Sequence, residues 1–136
     1  MAGQRLSGLF APSLSDIESL AAAAFEALPA AFRSLCGNTV ITVEDFPSDD
    51  VLDTMNAGPF DLLGLFHGVG LANDQAMPET GRLPNMVFLY RRAILDYWAE
   101  HDETLSAIVT HVLVHEIGHH FGLSDADMEA IERQAP

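Results

Sequence analysis

His115-Glu-Ile-Gly-His-His-Phe-Gly-Leu-Ser-Asp125 is the stretch on which the reading of this chain turns. Residues four apart on an α-helix share one face, with Cβ atoms about 5–6 Å apart, so His115 and His119 can converge on one ion. Glu116 follows the first histidine and can reach a water beside that ion. Zinc lowers the pKa of such a water to about 7, and a neighbouring carboxylate can then take its proton. The spacing points to a zinc-dependent hydrolase. Gly122 and Asp125, at their offsets from His119, set the stretch apart from a chance match on an ordinary helix.

Upstream, Leu105, Ile108, Val109, Val112, Leu113 and Ile117 recur at helical spacing and mark one buried stripe. At 100° per residue Glu116 falls within that stripe, beside Val109 and Val112. A carboxylate there is costly unless a proton, a cation or a polarised water meets it, and a purely structural helix would sooner carry leucine. Asp102, followed by Glu103, supplies an N-cap and predicts a helix start near residue 102. Gly122 can adopt the left-handed conformation that ends the helix.

Downstream, a zinc site that keeps its fourth position for water needs a third protein ligand, and the chain must reverse after His119 to bring one back. Asp125 arrives just beyond the reversal. Two readings of it compete, ligand and helix cap, because Ser124 followed three residues on by Asp127 also looks like the opening of a short helix. The two roles are compatible.

His115-Glu-x-x-His-x-x-Gly-x-x-Asp125 resembles the zincin metallopeptidases, in particular those with aspartate where the metzincins have a third histidine. The closing segment through Met128, with Leu62-Leu-Gly-Leu-Phe66 and Met86-Val-Phe-Leu-Tyr-Arg-Arg92, is similar to a small bacterial family of zinc metallopeptidases with a minimal zincin-like domain. The resemblance spans about residues 15–131. It implies zinc as cofactor, His115, His119 and Asp125 as its ligands, Glu116 as catalytic base, and a peptide or protein as substrate. Larger metzincins continue into a methionine-containing turn that floors the site; this sequence reaches Pro136 soon after Asp125, Met128 is not equated with that methionine, and the expectation is a specificity pocket that is shallow or needs a partner to complete it.

The 136 residues suit a single domain, 1–136, of α+β class: a minimal zincin-like arrangement with a small sheet of about three strands packed on the metal-motif helix. Net charge is −14 and there is no lysine; Arg5, Arg33, Arg82, Arg91, Arg92 and Arg133 are the six basic side chains apart from histidine. Such a surface repels nucleic-acid phosphates and anionic membranes. Cys36 stands alone, which excludes an intrachain disulfide and suits a cytoplasmic protein. The first 14 residues lack the apolar core of a signal peptide, and Leu20-Ala-Ala-Ala-Ala-Phe25 is far too short to span a bilayer.

Local patterns predict a helix over 15–28, capped by Ser15 with Glu18 and limited by Pro29. Strands are expected over 39–43, 62–66 and 86–90, and a short helix over 48–55. Residues 68–84, rich in glycine and proline, read as a long loop that could cover a cleft. Zincin folds bind extended substrates along an edge strand. The first choice for that edge, by resemblance, is Met86–Tyr90, against an equally weighted interior position.

The remaining histidines read differently. His111 shares the side of His115 but lies about two turns from His119, which suits a supporting or surface role. His120 points about 100° away from His119 and reads as structural or as a hydrogen-bond partner. His67 and His101 read as surface residues, and Tyr90 as a buried strand residue with oxyanion stabilisation as its competitor. The mechanism expected is peptide hydrolysis with Glu116 as general base; the alternatives are a zinc-containing binding or regulatory module with little hydrolytic activity and, more weakly, a non-peptide hydrolase.

Overall fold

The computed structural model describes residues 6–68 and 85–134. Among the described residues, six full helices and a mixed sheet of three strands follow one another as α1 (Leu14–Ala27), α2 (Ala30–Cys36), β1 (Val40–Glu44), α3 (Asp49–Met55), β2 (Gly64–His67), β3 (Met86–Tyr90), α4 (Arg91–Glu100), α5 (Leu105–His120) and α6 (Asp125–Gln134). This is the expected α+β class. The long loop predicted over 68–84 lies outside the described residues apart from Gly68.

Strand order is β1-β3-β2, with β1 parallel and β2 antiparallel to β3. The strand Met86–Tyr90 therefore occupies the centre, and its reading as an edge is corrected. Its apolar run gives the reason: Val87, Leu89 and Tyr90 are buried, and both flanks of the backbone are paired. Among the described residues β2 is the edge on the side of the motif helix. Gly64 is what allows β2 to approach that helix, since a Cβ there would sit 2.6 Å from Val112 Cγ1 and 3.0 Å from the Phe88 carbonyl oxygen.

α5 forms the hub, touching α1, α4, α6, β2 and β3. Ile108, Val109, Val112, Leu113, Val114 and Ile117 are buried in one cluster with Ile17, Ala21 and Ala24 of α1 and Val87 and Leu89 of β3. Burial of each large side chain here is worth about 1.5–3 kcal/mol relative to exposure, which is what holds the motif helix rigid. Leu105 is only partly buried and packs against the margin of this cluster.

Several helix boundaries differ from the sequence reading. α1 is capped by Ser13, whose hydroxyl accepts the Asp16 amide at 3.0 Å while Asp16 accepts the Ser13 amide at 2.8 Å. Ser13-Asp16 and Ser15-Glu18 carry the same box pattern two residues apart, and the earlier pair closes. α5 is capped by Thr104, whose hydroxyl accepts the Ala107 amide at 3.1 Å, so Asp102 is not the cap. Pro29 does follow the end of α1, and it also opens α2, since its fixed φ suits a helix entry. α4 begins directly after β3, with Tyr90 as its N-cap and no glycine or proline to announce the change.

Candidate metal centre

The end of α5 is built as its glycine suggests. Gly122 has φ +75°, the Leu123 amide donates to the Gly118 carbonyl at 2.9 Å, and the Gly122 amide donates to the His119 carbonyl at 3.2 Å. This paired closure turns the chain back so that α6 runs against α5. Ser124 and Asp127 then close α6: the Asp127 amide donates to Ser124 Oγ at 3.1 Å and the Ser124 amide to Asp127 Oδ2 at 3.2 Å. Capping thus falls to Ser124 and Asp127, and the Asp125 carboxylate is left to face the histidines.

His115, His119 and Asp125 each bring one ligand-type atom to within 4.8 Å of the others. Tetrahedral zinc with bonds of about 2.0–2.2 Å needs its ligand atoms about 3.3 Å apart, so the three side chains would close in to hold an ion. The His115 and His119 rings are nearly perpendicular, with centroids 5.7 Å apart. His119 and Asp125 are exposed, while His115 is mostly covered.

A test of fit to a metal comes from His115 itself. Among the described residues its Nε2 is sealed from solvent and makes no hydrogen bond. Burying such an atom unpaired is costly, and a cation relieves that cost. Burial is the first cause, and a neighbouring His111 charge the second, that hold the His115 imidazole below its ordinary pKa, against opposing pulls from Glu132 and Asp125. The neutral ring is the form that binds a metal. Two imidazoles and a carboxylate fit zinc by donor type.

Glu116 sits on the side of α5 that meets β2, half-buried, with its Cγ 3.4 Å from where a Gly64 Cβ would lie. Burial raises its pKa, opposed by His119 and by a hydrogen bond with the Phe66 backbone. A cleft of about 370 Å³ opens beside it, lined by Asp61, Gly64, Tyr97, Glu103, His115 and Glu116 among others. The carboxylate therefore borders both a donor cluster and a space for a ligand.

The neighbouring side chains sort as follows. His120 stacks on Phe66 at 4.0 Å, a packing role, and His67 is exposed at the end of β2. His101 is exposed, with its ring stacked on Tyr97 at 3.7 Å. Tyr90 is buried, and burial with the charges of Glu44 and Glu116 pushes its hydroxyl up to about 12. Sequence reasoning gave neither Gly118 nor Met128 a role. A Cβ on Gly118 would lie 2.5 Å from Met128 Sδ, so glycine inside the motif is what lets α6 seat on α5, with Met128 fully buried. A glycine at that place in a helix was the available signal.

A helix presenting two histidines and a half-buried acid, with a returning carboxylate, has the donor chemistry of a metallohydrolase centre. The chain belongs to the zincin-like metallopeptidases: the sequence profile of that family matches residues 36–135. The match bears out the family resemblance read from the motif; residues 15–35, included in that reading, precede the matched segment. Among curated proteins no match is found. Among the described residues no helix is long and apolar enough to cross a membrane.

Proposed function

We propose that this chain is a zinc-dependent peptidase in which His115, His119 and Asp125 hold the ion and Glu116 is the general base. Zinc bound there would supply an acidified water and a polarised carbonyl. Glu116 takes the proton of the attacking water and delivers it to the leaving amine as the peptide bond breaks. Its raised pKa suits both halves of that transfer better than an ordinary carboxylate would. The hydrogen bond with the Phe66 backbone orients the carboxylate without removing its capacity to accept a proton.

The observation that carries the reading is the position of Glu116: half-buried, one residue after His115, and on the wall of the cleft rather than in solvent. A binding module has no need of an acid placed there at the expense of packing. Substrate is proposed to lie extended along β2, the strand that runs beside Glu116, with backbone hydrogen bonds supplying affinity. Asp61 and Glu103 on the cleft wall favour neutral or basic side chains over acidic ones.

Glu116→Gln is the decisive variant. Turnover of a mixed peptide library should fall by about 10²–10⁴-fold while zinc content stays at the wild-type level. Undiminished cleavage by that variant would remove Glu116 from the chemistry. If wild-type protein with zinc bound makes no chelator-sensitive cuts at all, the binding-module reading replaces the peptidase.

A further inference from the structure

The groove between α5 and α6 repeats its donors. His111, His115 and His119 follow one another along α5 at intervals of about one turn. α6 opposes them with Asp125 at its first residue and Glu132 seven residues later, about two turns on and on the same side. Asp125 meets His119 and His115, whereas Glu132 meets His115 and His111, and in each set the ligand-type atoms lie within 4.8 Å of one another. The two sets share His115 alone.

The Glu132 set carries marks of its own. Glu132 Oε1 lies 2.7 Å from His111 Nδ1 and 3.8 Å from His115 Nε2. Both Glu132 Oε1 and His115 Nε2 are sealed from solvent, and among the described residues neither makes a directional hydrogen bond. A carboxylate oxygen and an imidazole nitrogen that meet at 3.8 Å without a hydrogen bond are an arrangement that a cation held between the oxygen and the nitrogen lone pair would satisfy. Two imidazoles and a glutamate are a donor set suited to zinc. Neither His111 nor Glu132 has a part in the proposed hydrolysis, and neither belongs to the buried core.

We infer that His111, His115 and Glu132 form a second divalent-cation position, adjoining the His115–His119–Asp125 position and alternative to it. A neutral imidazole has one lone-pair nitrogen and one N–H, so His115 serves one ion at a time. The chain therefore holds one equivalent, which exchanges between two seats about a helical turn apart along α5. The inference goes beyond the peptidase reading and does not depend on whether any peptide is cleaved.

Cobalt and zinc titrations of the metal-free full-length chain, with a chromophoric chelator as competitor, test it without reading activity. Wild type should bind one equivalent. Asp125→Asn and Glu132→Gln should each keep that equivalent with affinity within about tenfold of wild type, and the double variant should lose a further hundredfold or so. The cobalt absorption bands of the two single variants should differ from each other. His111→Gln should change the spectrum of the Asp125→Asn protein and leave that of the Glu132→Gln protein unchanged, an effect that a merely structural His111–Glu132 contact would not produce. Circular dichroism of the metal-free variants reports folding, and His111→Gln with Asp125→Asn repeats the test should the double acid variant not fold. The inference fails if Asp125→Asn alone abolishes binding, if neither Glu132→Gln nor His111→Gln alters the metal bound by Asp125→Asn, or if wild type binds two equivalents.

Discussion

The two sides of α5 follow opposite rules. Toward α1 and β3, Ile108, Val109, Leu113 and Ile117 are essentially without solvent contact and pack in one apolar cluster. Toward α6 and β2 the same helix presents His111, His115, Glu116 and His119, with a sealed nitrogen on His115 that makes no hydrogen bond among the described residues and a carboxylate whose pKa burial raises. Among the described residues one side is complete, whereas the other leaves polar atoms that a bound cation would satisfy. A helix fixed on its apolar side can carry an unsatisfied polar side, because the cost there is a few kcal/mol set against a larger packing gain.

The largest effect should come from breaking the packed side. Leu113→Ala removes a fully buried side chain and should cost about 2–5 kcal/mol in urea unfolding. The loss should be similar in metal-free and zinc-loaded protein, since Leu113 faces away from the donors. A loss confined to the zinc-loaded form would mean that the two sides are coupled through α5 and that the contrast drawn between them is false.

Gly118→Ala acts where the sides meet. The added methyl would need to displace Met128, at a cost of about 1–3 kcal/mol from overpacking, partly offset by the better helix propensity of alanine, about 1 kcal/mol. Because α6 also carries Asp125 and Glu132, zinc affinity should fall together with stability. Calorimetric titration beside unfolding curves separates the two, and unchanged affinity would show that α6 need not seat on Gly118 for its acids to reach the histidines.

The contrast also explains what could be read before the fold was known. The apolar side of α5 and the His115–His119 pair are local patterns with helical period, and Gly122 is a local turn signal; all three stand in the structure where the spacing puts them. Boundaries were less legible, because Ser13 and Ser15 offer the same cap chemistry and nothing between Tyr90 and Arg91 punctuates the step from β3 to α4. The central place of β3 depends on partners more than 18 residues away in sequence, such as Leu65 opposite Phe88, and no local pattern encodes that. Glu132 escaped for a related reason: its meaning comes from the antiparallel return of α6 along α5, which brings it to His111. The seven-residue interval from Asp125 was visible, but only the turn at Gly122 gives it a direction.

The smallest effect has the opposite sign. His115→Leu removes the sealed nitrogen of the site side and substitutes an apolar side chain that the groove can cover, so metal-free protein should gain about 1 kcal/mol. Zinc should then add nothing to the variant, whereas zinc in hundredfold excess over its dissociation constant should raise wild type by about 2.7 kcal/mol. The two unfolding curves should therefore exchange order between chelator and zinc: leucine is the better residue for the fold alone, and histidine the better one once a cation is present. If His115→Leu destabilises the metal-free chain, the nitrogen has a partner within the protein, and the division of α5 into a finished side and an unfinished one does not hold.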